Sequence, residues 1–305
     1  MEKIHDVIII GGGPAGYTSA LYIARSGFDV VVIEKFSAGG QMTQTSQIDN
    51  YPGFEEGIDG FSLGLKMQTG AEKFGAKTIQ SEVLSVKLDD KIKVVETDSV
   101  TLYSKTVIIA TGAEHKHLGL ESEERLIGKG VGYCAACDGM FYKGKTVAVV
   151  GGGNSAVADT LLLSKICEKV ILIHRRDVLR AERVYSEPLK KMRNVEFLWN
   201  STVSEIIADE KVTGVRVKNV QSGKESEISL DGVFISIGRV PQTELFKGQV
   251  KIDKNGYIIA DETTKTNLDG VFAVGDVRTK PVRQIVTAVA DGATASHFLE
   301  EYISK

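Results

Sequence analysis

Two stretches of the chain share one pattern of apolar and polar positions. Near the amino terminus the apolar run Val7 to Ile10 breaks into Gly11-Gly12-Gly13-Pro14-Ala15-Gly16, continues as a helix-like segment, and reaches a second apolar run ending at Glu34. From Val147 to Val150 the same run recurs, breaks into Gly151-Gly152-Gly153-Asn154-Ser155-Ala156, and reaches an apolar run ending at His174. Short apolar runs closed by glycines and followed by helical periodicity predict strand, turn and helix, so each stretch reads as a βαβ unit of a parallel sheet. The glycines have separate tasks: the first permits the tight turn, the second lets the backbone approach a pyrophosphate, and the third lets the helix lie close to the sheet. The helix amino terminus then faces the phosphate charge.

Between and beyond these units the pattern is nested rather than tandem. Residues 39–54, GGQMTQTSQIDNYPGF, have no clear period and read as loop, followed by a helix near Phe61 to Phe74 and alternating strands that end in TVIIATGA. The middle of the chain holds the second βαβ unit and alternating strands such as GVRVKNV and GVFISIG. After Pro241 come a hairpin around Asn255-Gly256, the strand GVFAVGDV, and a terminal helix over RQIVTAVADGATASHFLEEYI. The predicted fold is α/β, with two Rossmann-like, three-layer dinucleotide-binding domains, one inserted in the other. Residues 1–112 and 242–305 form the outer domain and residues 113–241 the insert, with crossings near Gly112-Ala113 and Gly238 to Gln242.

Aligning the two loops separates their ligands. From Gly16 to Glu34 is 18 residues, and from Ala156 to His174 is also 18, so His174-Arg175-Arg176 stands where the first copy has its carboxylate. A carboxylate there accepts hydrogen bonds from an unmodified ribose and repels phosphate, whereas guanidinium groups grip a 2′-phosphate bidentately. The first loop is thus assigned an unphosphorylated adenosine ribose and the second NADPH, with Arg180 extending the basic cluster. The competing reading of Arg175, Arg176 and Arg180 is a solvated basic face.

Composition narrows the class only a little. A chain of 305 residues with 42% hydrophobic and 25% charged residues is an ordinary globular protein with room for two cores. Its formal net charge of −3 argues against a general nucleic-acid binder. Val7 to Ile10 is far too short for a signal h-region or a membrane span, and three cysteines without a secretory signal point to the cytoplasm.

Two of those cysteines form Cys134-Ala135-Ala136-Cys137-Asp138, just upstream of the second loop. A working dithiol needs one sulfur with a stabilised negative charge and a neighbour that moves a proton, and Asp138 is the available acid/base. A zinc site completed by His115 and His117 is the rival reading, but H-x-H is shorter than the usual histidine spacing and no second CxxC exists. Cys167, within LLLSKICEKV, reads as a buried core thiol.

These motifs together resemble the low-molecular-weight thioredoxin reductases over nearly the whole chain. The resemblance rests on GGGPAG with Glu34, Gly39-Gly40-Gln41, Asn50-Tyr51-Pro52-Gly53, Ala110-Thr111-Gly112, Cys134 to Asp138, GGGNSA, HRRDVLRAE, and Gly275-Asp276 followed by Arg283-Gln284. It implies an FAD domain interrupted by an NADPH domain, a homodimer, and electrons passing from NADPH through flavin and the disulfide to thioredoxin. It also implies that Gly11, Gly13, Gly16, Glu34, Gln41, Asn50 and Asp276 contact FAD, that Arg283, Gln284 and Ala288 approach the isoalloxazine ring, and that the inserted domain rotates between half-reactions. Pro14, Ala15, Gly40, Ala110, Thr111, Gly112 and Gly275 belong to the same FAD set; Gly151, Gly153, Asn154, Ser155, Ala156, His174, Arg175, Arg176 and Arg180 form the NADPH set. Cys137 takes the place of the sulfur facing the flavin, and Cys134 that of the one attacking thioredoxin. Two departures stand out: Ala135-Ala136 where relatives often carry Ala-Thr, and no Pro-Gly after Ala110-Thr111-Gly112.

Overall fold

A computed structural model describes residues 3–45, 47–189 and 191–304; Met1 and Glu2, which the sequence places at the lead into the first strand, lie outside them. The helices are α1 (Pro14–Arg25), α2 (Gly60–Glu72), α3 (Ala135–Asp138), α4 (Asn154–Leu163), α5 (Arg183–Leu189) and α6 (Ile285–Ile303). The chain divides into two compact units, Met1–Glu114 with Val240–Lys305, and His115–Arg239.

In the first unit the strand Ile4–Ile10 lies parallel between Val30–Glu34 and Thr101–Ile109, with Val7 opposite Val30 and Ile8 opposite Val107. Lys77–Gln80 extends one side, and Val271–Ala273 pairs in parallel with Thr101–Ile109. Successive strand residues point to opposite faces. Val7 and Ile9 therefore pack into the layer with α1 and α6, while Ile8 and Ile10 enter a second core with Val95, Phe246 and Ile258. Burial on both faces explains why the strand reads as an unbroken apolar run; each such side chain contributes about 1.5–3 kcal/mol. The predicted helix near Phe61 to Phe74 is α2, which starts one residue earlier because Asp59 caps it, accepting the Ser62 N–H at 2.9 Å. Residues 39–54 are not wholly irregular: Gly40–Gln44 forms a 3₁₀ turn entered through Gly39 at φ 118°.

In the second unit five strands run parallel in the order Val195–Leu198, Lys169–Ile173, Thr146–Gly151, Gly232–Ser236 and Val131–Gly132. An antiparallel sheet of Ser201–Ala208, Val212–Asn219 and Glu225–Ser229 covers one face through Val203, Ile206 and Val215. Helix α4 and the start of α3 cover the other through Val157, Leu163 and Ala135. At the crossings, Gln242 N–H donates to the Gly112 carbonyl and Lys116 N–H to that of Gly238, each at 3.0 Å.

Candidate active site

The first glycine loop is shaped by contacts that exclude side chains. Gly11 sits at φ 107°, and a Cβ on Gly16 would overlap the Gly11 carbonyl oxygen, so α1 starts as close to the strand as backbone allows. Pro14 is the first helical residue and Gly13 provides no side-chain cap, which leaves the first-turn N–H groups free for an anion. A Cβ on Gly13 would meet nothing within 4 Å, the open space a pyrophosphate requires. Glu34 is held by two backbone donors, Gly12 N–H to Oε2 at 2.7 Å and Phe36 N–H to Oε1 at 3.0 Å. Its remaining lone pairs are available to ribose hydroxyls.

The loop opens on a cleft of about 580 Å³, lined by Gly11, Gly13, Pro14, Ala15, Glu34, Gly40, Gln41, Ala110, Thr111, Gly112, Gly275, Asp276, Gln284 and Ala288. Those residues come from six separate stretches of the chain. The cleft's size, the unblocked loop and the oriented carboxylate fit an FAD molecule. Gly16 acts beneath the loop rather than on the cleft. Asn50 lines a neighbouring groove, its amide donating to Gln284 Oε1 at 3.2 Å. Arg283 donates to the carbonyls of Asp276 and Arg278 and stacks over Tyr257 at 3.9 Å, so it braces the Gly275-Asp276 turn.

One part of this unit was not read from the sequence. Asp291, buried on α6, accepts from Gly275 N–H at 2.8 Å, from Arg278 at 2.9 and 2.7 Å, and from Lys280 at 2.7 Å. Burial pushes its carboxyl up, but the Arg278 and Lys280 hydrogen bonds outweigh that and hold it below the usual range. The signal was present: a lone acid on the apolar face of the terminal helix, with two cations just after Gly275-Asp276.

The second loop repeats the first with substitutions. Gly153 again leaves the helix start uncapped, and Ala156 replaces the third glycine, its methyl fully buried where a Cβ on Gly151 would touch it. Asn154 and Glu182 bind each other, through Asn154 Nδ2 to Glu182 Oε1 at 3.1 Å and Glu182 N–H to Asn154 Oδ1 at 3.0 Å. Ser155, Arg175, Arg176 and Arg180 are exposed, and Arg180 N–H donates to the Gly152 carbonyl at 2.7 Å.

His174 differs from its sequence reading as part of a basic cluster. Its ring is buried directly over Gly152, where a Cβ would overlap it, and stands edge-on to Trp199 at 6.4 Å. Burial lowers its pKa, and Nε2 has no hydrogen-bond partner. His174 is therefore a neutral floor under the loop, and the positive charge at this position comes from the arginines.

In the same unit a disulfide joins Cys134 and Cys137, with Cα atoms 5.3 Å apart. Cys134 is extended (φ −141°, ψ 98°), and α3 begins at the next residue, with Cys137 and Asp138 N–H both donating to the Cys134 carbonyl at 3.1 Å. Burial pushes the Asp138 carboxyl up to about 6, into the range where it exchanges protons near neutrality. Gly132 makes room for it: a Cβ there would lie 3.3 Å from Asp138 Oδ2. Cys167 is buried and its thiol is pushed up to about 11, consistent with an inert core residue. His115 and His117 both pack on Tyr133, and among the described residues no group of three ligating side chains is placed to hold a metal.

A family model described as pyridine nucleotide-disulphide oxidoreductase matches residues 5–292. The thioredoxin reductase of Listeria monocytogenes is 47% identical over 305 residues, spanning 100% of this chain and 95% of that protein. That of Bacillus subtilis is 44% identical over 305 residues, 100% of this chain and 96% of its own length. The chain belongs to the thioredoxin reductase family. The crystal structure of thioredoxin reductase from Streptococcus pyogenes superposes with a TM-score of 0.94 at 41% identity, covering 100% of this chain and 99% of that one. Thioredoxin reductases are FAD- and NADPH-dependent disulfide oxidoreductases, and the paired loops and closed disulfide of this chain have the parts such a reaction needs. No helix among the described residues is long and apolar enough to cross a membrane.

Proposed function

We propose that the chain passes electrons from NADPH through FAD and the Cys134–Cys137 disulfide to thioredoxin, with FAD held by the outer unit and NADPH by the inserted one. The observation that carries this reading is a closed disulfide next to a partly buried acid near pKa 6, in the same unit as a glycine loop with three exposed arginines just beyond the end of its second strand. When bound, the two cofactors supply hydride transfer and the electron pair that opens the disulfide. Glu34 holds the FAD ribose, Gly11 and Gly13 admit its pyrophosphate, and the N-terminal end of α6 at Gln284 turns its positive dipole toward the flavin. Arg175, Arg176 and Arg180 receive the 2′-phosphate of NADPH.

In the reduced pair, Cys134 attacks the thioredoxin disulfide and forms a mixed disulfide, while Asp138 gives its proton to the departing thiolate. Cys137, losing a proton to Asp138, then attacks Cys134 Sγ. Reduced thioredoxin leaves, and the Cys134–Cys137 bond re-forms. The nucleotide loop and the cysteines share one unit, so they use a single flavin in turn, and the inserted unit rotates about its two crossings between half-reactions. Family resemblance supports a homodimer working in the cytoplasm.

One assay tests the reading: NADPH-dependent thioredoxin reduction by the native protein, by Cys134→Ser, and by protein cross-linked between its units. Only the native protein is expected to turn over. Turnover by Cys134→Ser would remove that sulfur from the route, and full turnover after cross-linking would remove the rotation.

A further inference from the structure

Tyr133 is the only residue between the sheet-edge strand Val131–Gly132 and Cys134, and its side chain is held on three sides. Its ring stacks on His115 at 4.8 Å and meets His117 edge-on at 5.5 Å. Its hydroxyl lies 2.6 Å from Glu123 Oε1 and 2.8 Å from His117 Nδ1. Glu123 is almost wholly buried, with 2% of its side chain accessible, and also accepts the N–H groups of Leu118 at 3.0 Å and Gly119 at 2.9 Å.

Counting protons fixes the direction of the chain. A phenol has one hydrogen, and at 2.6 Å from a carboxylate that hydrogen goes to Glu123. His117 Nδ1 must then carry a hydrogen of its own and donate it to the Tyr133 oxygen, whether the ring is neutral or charged. His117 Nδ1 also lies 3.3 Å from Glu123 Oε1, so the three groups close into a triangle around one buried carboxylate. Burial and the Glu123 charge raise the Tyr133 pKa, which keeps the hydroxyl a donor. Removing that hydroxyl leaves a buried carboxylate short of one donor.

We propose that Tyr133 is a positioning residue for the thiol–disulfide exchange, and that the Glu123–Tyr133–His117 relay holds the flank of Cys134 to the segment His115–Leu120 as the sulfur changes partners. His117 belongs to that segment, and Glu123, three residues beyond it, is tied to it by accepting the N–H groups of Leu118 and Gly119. The nucleophile's backbone is thereby anchored independently of α3, whose first hydrogen bonds must tolerate opening and closing of the disulfide. Displacing a reacting atom by about 1 Å costs roughly 100-fold in rate, which sets the upper size of the effect.

The inference rests on Cys134 being the attacking sulfur, and the experiment separates the two. NADPH-reduced holoenzyme is alkylated with iodoacetamide, and the labelled cysteine is mapped while the rate is followed. Thioredoxin reduction is measured alongside. Tyr133→Phe, which keeps the ring stack, is expected to slow Cys134 alkylation and lower kcat about 10- to 100-fold, with KM for thioredoxin unchanged. His117→Ala, at a half-exposed position that tolerates truncation, is expected to move both rates in the same direction by a smaller factor, which keeps the test open should Tyr133→Phe fold poorly. Labelling at Cys137 instead would overturn the reading of the pair. Native alkylation rate and kcat in both variants, or a change confined to KM, would overturn the relay.

Discussion

The two glycine loops start from the same motif and end as different sites, and the difference lies in what stands over Gly12 and over Gly152. In the first loop it is Glu34, whose charge is gripped by the Gly12 N–H and turned toward the cleft. In the second it is His174, uncharged, buried and pressed on Gly152, while the charge moves outward to Arg175, Arg176 and Arg180. Under the proposed assignment, selectivity for a phosphorylated ribose would rest on removing an acid and setting a buried imidazole beneath the loop, as much as on adding cations. The buried carboxylates differ in the same way. Asp291 in the outer unit has two cationic partners and stays ionised, whereas Asp138 in the inserted unit is raised by burial to about 6 and is the proposed proton carrier.

The largest effect is expected from removing the ionised partner. Asp291→Asn leaves Arg278 and Lys280 buried without their counter-charge, at a cost of about 3–5 kcal/mol, read as a loss in chemical-denaturation stability. The contribution of Asp291 is present above the unfolded carboxylate value and lost as pH falls through its lowered one, so native and variant should converge in acid. A native-like denaturation midpoint at pH 7 would show that the cluster is not a stabilising pair.

Next in size is Gly16→Ala, which forces a methyl against the Gly11 carbonyl and costs about 1–3 kcal/mol or more. Flavin content of the purified variant should fall sharply. Retention of full flavin would mean that the first loop opens as easily as the second, which already carries Ala156.

The smallest stability effect has the opposite sign. Asp138 is raised from 3.8 to about 6, so its contribution is present below the unfolded value and lost as pH rises through about 6. Asp138→Asn should therefore be about 1–3 kcal/mol more stable than the native protein at pH 8 and nearly equal to it at pH 4. The same variant should lose the pH dependence near 6 in thioredoxin reduction. A stability gain without that kinetic loss would leave Asp138 buried but outside proton transfer.

The glycine loops, the cysteine pair and the two apolar strands were legible because each depends on residues close in sequence. A turn that only glycine can make, or a strand buried on both faces, leaves its mark locally. Asp291 was not legible because its partners lie 11 and 13 residues away and meet only when α6 packs on the sheet. His174 was misjudged for a related reason: spacing places it opposite Glu34 but does not tell that its ring turns inward over Gly152. The H-x-H spacing of His115 and His117 is visible in the sequence, whereas Tyr133, on which both rings pack, is brought to them by the fold.

The division of labour between the loops is tested most directly by the rate of flavin reduction with NADPH and with NADH, in the native protein and in Arg175→Ala/Arg176→Ala. Two lost charge-assisted contacts are expected to lower kcat/KM for NADPH about 100-fold, to leave NADH nearly unchanged, and to leave flavin content intact. An unchanged NADPH-to-NADH ratio, or loss of flavin from the double variant, would contradict the assignment of the second loop to NADPH.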